Sequence, residues 1–257
     1  MSRMSYTDSC VALGEKLELS STNEKSTVSG VLESMDTCGI GRALVRHAAG
    51  REYDPRYGND LLLSVTAKTE RLLPVATLAP LMFAGGGRAD DPERLRRYLA
   101  EHRFCGAVLY PSAAYHNYSI ADWCAGAISN VLGTIRLPLF IGYAEIGPDS
   151  LSYLLTSHPK VPIVLCEVYY GADRLLFPLF DRHENLYVVS TIDRQYRGIE
   201  NYIRRFGAGR IVFGSNFPQS SMGASVASID MSDVGHDEKL AVASGNIERL
   251  LEGISYA

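Results

Sequence analysis

Pro162-Ile163-Val164-Leu165-Cys166-Glu167-Val168 is an apolar run broken by a single carboxylate, and a helical pattern over 173–182 follows it. A short apolar strand followed by a helix is the repeating unit of a parallel α/β sheet. The same unit recurs on both sides of this stretch. Strands are predicted at 6–13, 42–46, 73–78, 104–110, 138–143, 162–168, 186–191 and 210–214, and that makes eight. In the first helix Val28, Val31, Leu32 and Met35 follow a 3.6-residue period, with Thr27 as N-cap and Gly39 as a left-handed stop. Asp91-Pro92-Glu93 opens another helix, because aspartate caps free N–H groups and proline suits the first helical position. Further helices are predicted over 120–133, 150–157, 198–206 and 237–251. Eight such units make a (β/α)8 TIM barrel the leading architecture, with its chemistry at the C-terminal strand ends. An open doubly wound sheet ranks second, since no glycine fingerprint follows the first strand.

The length of 257 residues suits one such domain over 1–257. A hydrophobic content of 46% supplies a large core. The net charge of -4, with no basic cluster, argues against nucleic acid as a partner. No apolar run of membrane-spanning length and no apolar leader is visible, so a cytoplasmic protein with no membrane partner is expected. The five cysteines are widely spaced without a CxxC, which fits reduced, mostly buried thiols. The segments 14–26 and 83–90 read as the freest loops. Within the second, Ala84-Gly85-Gly86-Gly87-Arg88 reads as a flexible connection rather than a phosphate cradle, because no P-loop lysine follows.

At the barrel mouth the strand ends offer a definable set of polar groups. Glu167 terminates an apolar strand, is costly to bury unless paired or functional, and is favoured as a site residue over a structural ion pair. Asp8 serves chemistry or, equally, accepts hydrogen bonds from loop backbone. Cys10 is a candidate nucleophile, although thiol packing is the favoured reading. His116 lies on a loop at the catalytic end and suits proton transfer, or equally orders that loop. Tyr110, Glu145, Tyr169 and Asp193 are candidate substrate-lining residues, and Arg194 and Asn216 complete the set. His47, followed by Ala48, Ala49 and Gly50, reads as part of an ordinary turn.

Arg210-Ile211-Val212-Phe213-Gly214-Ser215-Asn216-Phe217-Pro218 and, about thirty residues on, Gly245-Asn246-Ile247-Glu248-Arg249-Leu250-Leu251 carry a family pattern. They resemble the RxxFGSDxP strand and GNxxRLL helix of the amidohydrolase superfamily, in its amidohydrolase-related branch of metal-dependent barrels. Asp8 to Gly14, Leu109-Tyr110-Pro111 and Asn185-Leu186-Tyr187-Val188 are similar as well. The resemblance implies a metal-bound hydroxide attacking an amide, ester or lactone. It also implies that the metal ligands are lost. The family's His-x-His falls on Cys10-Val11-Ala12, its strand-five histidine on Gly142, its strand-six histidine on Glu167 and its strand-eight aspartate on Asn216. No metal or other cofactor is therefore expected.

Three readings follow. The first is a hydrolase or lyase using metal-free acid–base chemistry, with Glu167 as base or acid, His116 as its proton partner, Asn216 donating to an oxyanion and Arg194 orienting a substrate carboxylate. The second is a pseudoenzyme that binds a small molecule without turnover. The third and least favoured is an atypical metal site drawn from Cys10, Glu167, Asp8, Glu145 and Asp193. Convergence of Glu167 and His116 on one pocket supports the first, whereas a closed ion pair at Glu167 under a plugged mouth weakens it. A homodimer fits barrels of this type by analogy of fold alone.

Overall fold

The computed structural model describes residues 4–14, 26–84, 90–194 and 196–256, apart from the side chains of Asp193 and Arg194. Eight parallel strands lie side by side in chain order. They are β1 (Tyr6–Leu13), β2 (Ile40–His47), β3 (Leu72–Thr77), β4 (Gly106–Leu109), β5 (Leu139–Gly142), β6 (Ile163–Cys166), β7 (Leu186–Val189) and β8 (Ile211–Val212). The sheet returns on itself: Ser9 N–H donates to Phe213 O and Ala12 N–H to Phe217 O, both at 2.9 Å. The architecture is a TIM barrel, as the alternation of strands and helices predicts.

Between the strands run α1 (Val28–Cys38), α2 (Ala48–Glu52), α3 (Pro55–Thr66), α4 (Pro92–Glu101), α5 (Asp122–Ile135), α6 (Pro148–Ser157), α7 (Asp173–Arg182) and α8 (Gly198–Phe206). After β8 come α9 (Met222–Asp230), α10 (His236–Leu240) and α11 (Asn246–Glu252). Thr27 caps α1 by accepting from Gly30 N–H, and Gly39 ends it at φ 73. Asp91 caps α4 with Pro92 inside its first turn.

Three helical features differ from the sequence reading. The segment after β2 is a helix pair rather than a turn. His47 Nδ1 accepts from Ala49 N–H at 3.2 Å to start α2, and Asp54 Oδ1 accepts from Tyr57 N–H at 2.9 Å to start α3. A Cβ on Gly58 would lie 2.3 Å from the Gly50 Cα, so two glycines let this pair touch. The helix α9, capped by Ser221, was not foreseen either, because its apolar residues lack a strong period. The last helix is not continuous: a π-helical turn at Ala241–Gly245 joins α10 to α11. Residues 15–25 and 85–89, which hold most of the two loops read as freest and the glycine run, lie outside the described residues.

Side chains sort by strand alternation. Ile163 and Leu165 of β6 face the helices together with Ala107, Leu109, Ile141 and Val188. Val164 and Cys166 face the barrel interior with Cys10, Leu44, Phe140 and Val212. Both layers are buried, which accounts for the near-continuous apolar runs of the strands.

Candidate active site

Towards the C-terminal ends of the strands the interior turns polar. Cys10 of β1 lies just before the end of a register shift against β2, between the paired residues Asp8 and Val11. Arg46 of β2 reaches it, with Nη2 donating to Cys10 Sγ at 3.3 Å. Cys166 of β6 belongs to the same buried interior layer. The Cys166 S–H and then the Arg46 guanidinium hold the Cys10 thiol below its ordinary range, against burial. The hydrogen bond to Cys10 and burial push the Cys166 thiol well up. Burial opposes the charge on Arg46, but Cys10, Tyr110, Cys166 and Glu167 around it outweigh burial and keep it protonated.

Glu167 enters by an irregular route. Alternation from Leu165 would turn it towards the helices, but its backbone is left-handed at φ 56, and the carboxylate comes round to Arg46 Nη2 at 3.6 Å. A non-glycine residue held there stores on the order of 1–3 kcal/mol, a strain that concentrates at functional sites. Arg46, Tyr110, Gly142, Glu145, Cys166 and Glu167 line a cavity of about 10 Å³, room for about one water. Burial pushes the Tyr110 phenol up to about 12, so it stays a neutral donor at the cavity wall. Glu145 Oε2 accepts from Ser112 N–H at 3.4 Å.

The structure thus brings Cys10, Tyr110, Glu145, Glu167 and Asn216 to the mouth. Asn216, also left-handed at φ 56, sets its Oδ1 3.9 Å from Cys10 Sγ. Asp8 sits lower and fully buried, where Oδ1 accepts from the N–H groups of Cys10 and Ser215, both at 3.0 Å, and ties β1 to the chain after β8. His116 does not share the Glu167 cavity. Its Nε2 lies 3.1 Å from Arg51 O, and its ring meets Tyr110 edge-on at 5.8 Å. Burial lowers its pKa, which favours the neutral imidazole. Tyr169 is half exposed and packs edge-on against Tyr143. The side chains of Arg194 and Asp193 lie outside the described residues.

The sequence reading missed Arg46. It held the signal nonetheless: Ala43-Leu44-Val45-Arg46 ends an apolar strand in a charge, the same anomaly that singled out Glu167 two-thirds of the way along the chain. Two such residues of opposite sign at strand ends imply a pair, because neither is buried cheaply alone.

The donors do not gather into a cation site among the described residues. Among the described residues no three of His, Cys, Asp or Glu converge on one point, so Cys10, Glu167, Asp8 and Glu145 do not by themselves make the atypical metal site, whose fifth candidate, Asp193, has its side chain outside the described residues. A Cβ on Gly142 would lie 3.2 Å from Glu145 Cγ, so a larger side chain at this position would crowd Glu145. The Arg46 guanidinium, 3.3 Å from Cys10 Sγ, would repel a cation placed at that sulfur.

Polar groups gathered at the C-terminal strand ends are where a TIM barrel carries its chemistry. A family model described as amidohydrolase matches residues 20–253, and the chain belongs to that family. Among solved structures it is similar to an uncharacterised TIM-barrel protein from Bordetella bronchiseptica, with TM-score 0.75 and 14% identity over 97% of this chain and 99% of that one. It is similar to 2,6-dihydroxybenzoate decarboxylase from Rhizobium, with TM-score 0.72 and 15% identity over 98% and 99% of the two chains. It is similar to a putative 2-pyrone-4,6-dicarboxylic acid hydrolase from Pseudomonas putida, with TM-score 0.70 and 16% identity over 98% of each. None of the curated proteins compared with the chain matches it.

Proposed function

We propose that the protein is a small-molecule lyase or hydrolase that binds a carboxylate substrate on Arg46 and works without the divalent metal of its family. The observation that carries this reading is the Arg46–Glu167 pair at the cavity wall. Arg46 is anchored from below by Cys10 at 3.3 Å, whereas its contact with Glu167 is looser at 3.6 Å, and the Glu167 side chain keeps 23% of its surface exposed. A substrate carboxylate takes the place of Glu167 on the planar guanidinium, which suits two parallel hydrogen bonds. The displaced Glu167 then stands beside the bound acid as a proton donor or acceptor. Arg46 also supplies a fixed positive charge where charge builds up on the reacting oxygen, which is the electrostatic part of catalysis. Tyr110 is a further donor. A cavity with room for one water fits this exchange, since the space for substrate is opened by the departure of Glu167. The similar decarboxylase and hydrolase act, by their names, on carboxylic acids.

The orientation of His116 favours a second reading, binding without turnover, because Arg51 O holds its Nε2 away from the cavity and leaves one carboxylate pair to move protons. Both readings are tested with chelator-treated protein and a panel of aromatic and lactone carboxylates, 2,6-dihydroxybenzoate and 2-pyrone-4,6-dicarboxylate included. Calorimetry is expected to show binding to at least one, weakened tenfold or more by Arg46→Lys. Release of carbon dioxide or ring opening, lost in Glu167→Gln with melting little changed, separates the enzyme from the binder. Binding that requires added metal would sink the metal-free mechanism.

A further inference from the structure

Arg51 also lines the cavity that holds the Arg46–Glu167 pair, yet it takes no part in the exchange of Glu167 for a substrate acid. It stands on α2, the helix that follows β2. Its guanidinium lies over the Tyr115 ring, with Cζ 4.0 Å from the ring centroid, and 5.8 Å from the centroid of Tyr110. His116 holds the backbone of the same residue, with Nε2 donating to Arg51 O at 3.1 Å. Stacking on an aromatic face uses the flat side of a guanidinium and leaves the N–H groups on its edge for an acceptor. Here the acceptor is missing. Arg51 Nε is buried with no hydrogen-bond partner. No ion pair among the described residues includes Arg51. Glu145 lines the same cavity, but its Oε2 accepts from Ser112 N–H. A buried donor left in this state costs free energy that a bound acceptor recovers, and more so when the acceptor is charged.

We propose that Arg51 is a second acid-binding residue of the mouth, so that the ligand is a dicarboxylate with one carboxylate on Arg46 and the other on the stacked Arg51. This narrows the carboxylate reading of Arg46 given above and rests on it. Two fixed cations on one small cavity call for two anions between them. In the free protein Glu167 answers Arg46, and Arg51 has no such counter-ion among the described residues. A monocarboxylate satisfies Arg46 and gains nothing at the Arg51 Nε, whereas a diacid of the right span supplies both acceptors. A site that keeps a buried donor for one ligand group discriminates against the analogue lacking that group. The contacts of Tyr115 and His116 keep the second cation in place on the side of the mouth away from β6.

The test is calorimetry on the chelator-treated chain with benzoate and with phthalate, isophthalate and terephthalate, which set the second carboxylate at three different distances from the first. At least one of the three diacids is expected to bind about tenfold or more tightly than benzoate. Arg51→Gln is expected to shrink that preference to about threefold or less, whereas Arg46→Lys weakens benzoate and diacid alike. Should the glutamine variant fail to fold, Arg51→Lys keeps the charge without the planar fork, and it too is expected to cut the preference by about threefold or more. Benzoate and all three diacids binding equally well would overturn the second acid site and leave the Arg46 reading standing. A diacid preference that survives at Arg51 variants would do the same. If none of the four compounds binds, the carboxylate reading itself fails and this inference with it.

Discussion

The two sides of the barrel mouth contrast sharply. On the side of β1, β2 and β6, strand-end residues meet across the interior, where Arg46 bridges Cys10 and Glu167 within 3.3 and 3.6 Å. On the side of the loop after β4, Tyr115 packs against Tyr110 and Arg51, and His116 packs against Tyr110 and Tyr118. The first side is a charge cluster held by the strands, and the second is an aromatic clasp held by backbone. The difference teaches that position on a strand aims a side chain into the barrel, whereas position on a loop after a strand leaves it free to find a local partner.

The largest test of this contrast is Arg46→Met. It leaves Cys10 and Glu167 without their cation and is expected to lower unfolding free energy by about 3–5 kcal/mol in urea denaturation. A loss below 1 kcal/mol would mean that the guanidinium holds neither group. Gly214→Ala probes the same side by steric means. The added Cβ would lie 2.5 Å from Val189 Cγ1 and 3.0 Å from Cys10 Cβ, for an expected loss of about 1–3 kcal/mol. Tolerance of the methyl would show that the Cys10 layer is loosely packed.

The smallest effect belongs to the clasp. His116→Gln is expected to change stability by about 1 kcal/mol or less at pH 7.5. Its signature is in the pH profile instead. Burial lowers the folded pKa of His116 and of His47 below the ordinary 6.5. Below that value the unfolded chain binds more protons than the folded one, so stability falls as the pH drops through the interval between the two. Urea midpoints at pH 7.5 and 5 should differ less in His116→Gln than in the unchanged chain. An unaltered difference would place the acid sensitivity elsewhere.

Most of the fold was legible because the barrel repeats one pattern eight times, and β1 was read at its observed bounds, Tyr6–Leu13. Of the helices that escaped, α2 is short and α9 weakly periodic, whereas α3 opens on Asp54-Pro55, the same signal as Asp91-Pro92, and was legible. Glu167 was legible as a charge at the end of an apolar run, and Arg46 was equally so by the same logic. Its partnership with Cys10 was not, since β1 and β2 meet there through an irregular register. Nor does the sequence announce that His116 is turned to the Arg51 carbonyl, a choice made by contact between a loop and α2, distant in the chain.

The backward twist at Glu167 has a consequence for how this scaffold can change. Regular pleating lets a strand donate every second residue to the chamber, but the end of β6 and the bend after it deliver two neighbours in succession, a thiol and an acid. Any substitution that restored ordinary pleating at residue 167 would point the acid outward and leave the chamber with the thiol alone. The diversity of groups available at this rim is set by main-chain geometry at one residue as much as by which side chains the chain encodes.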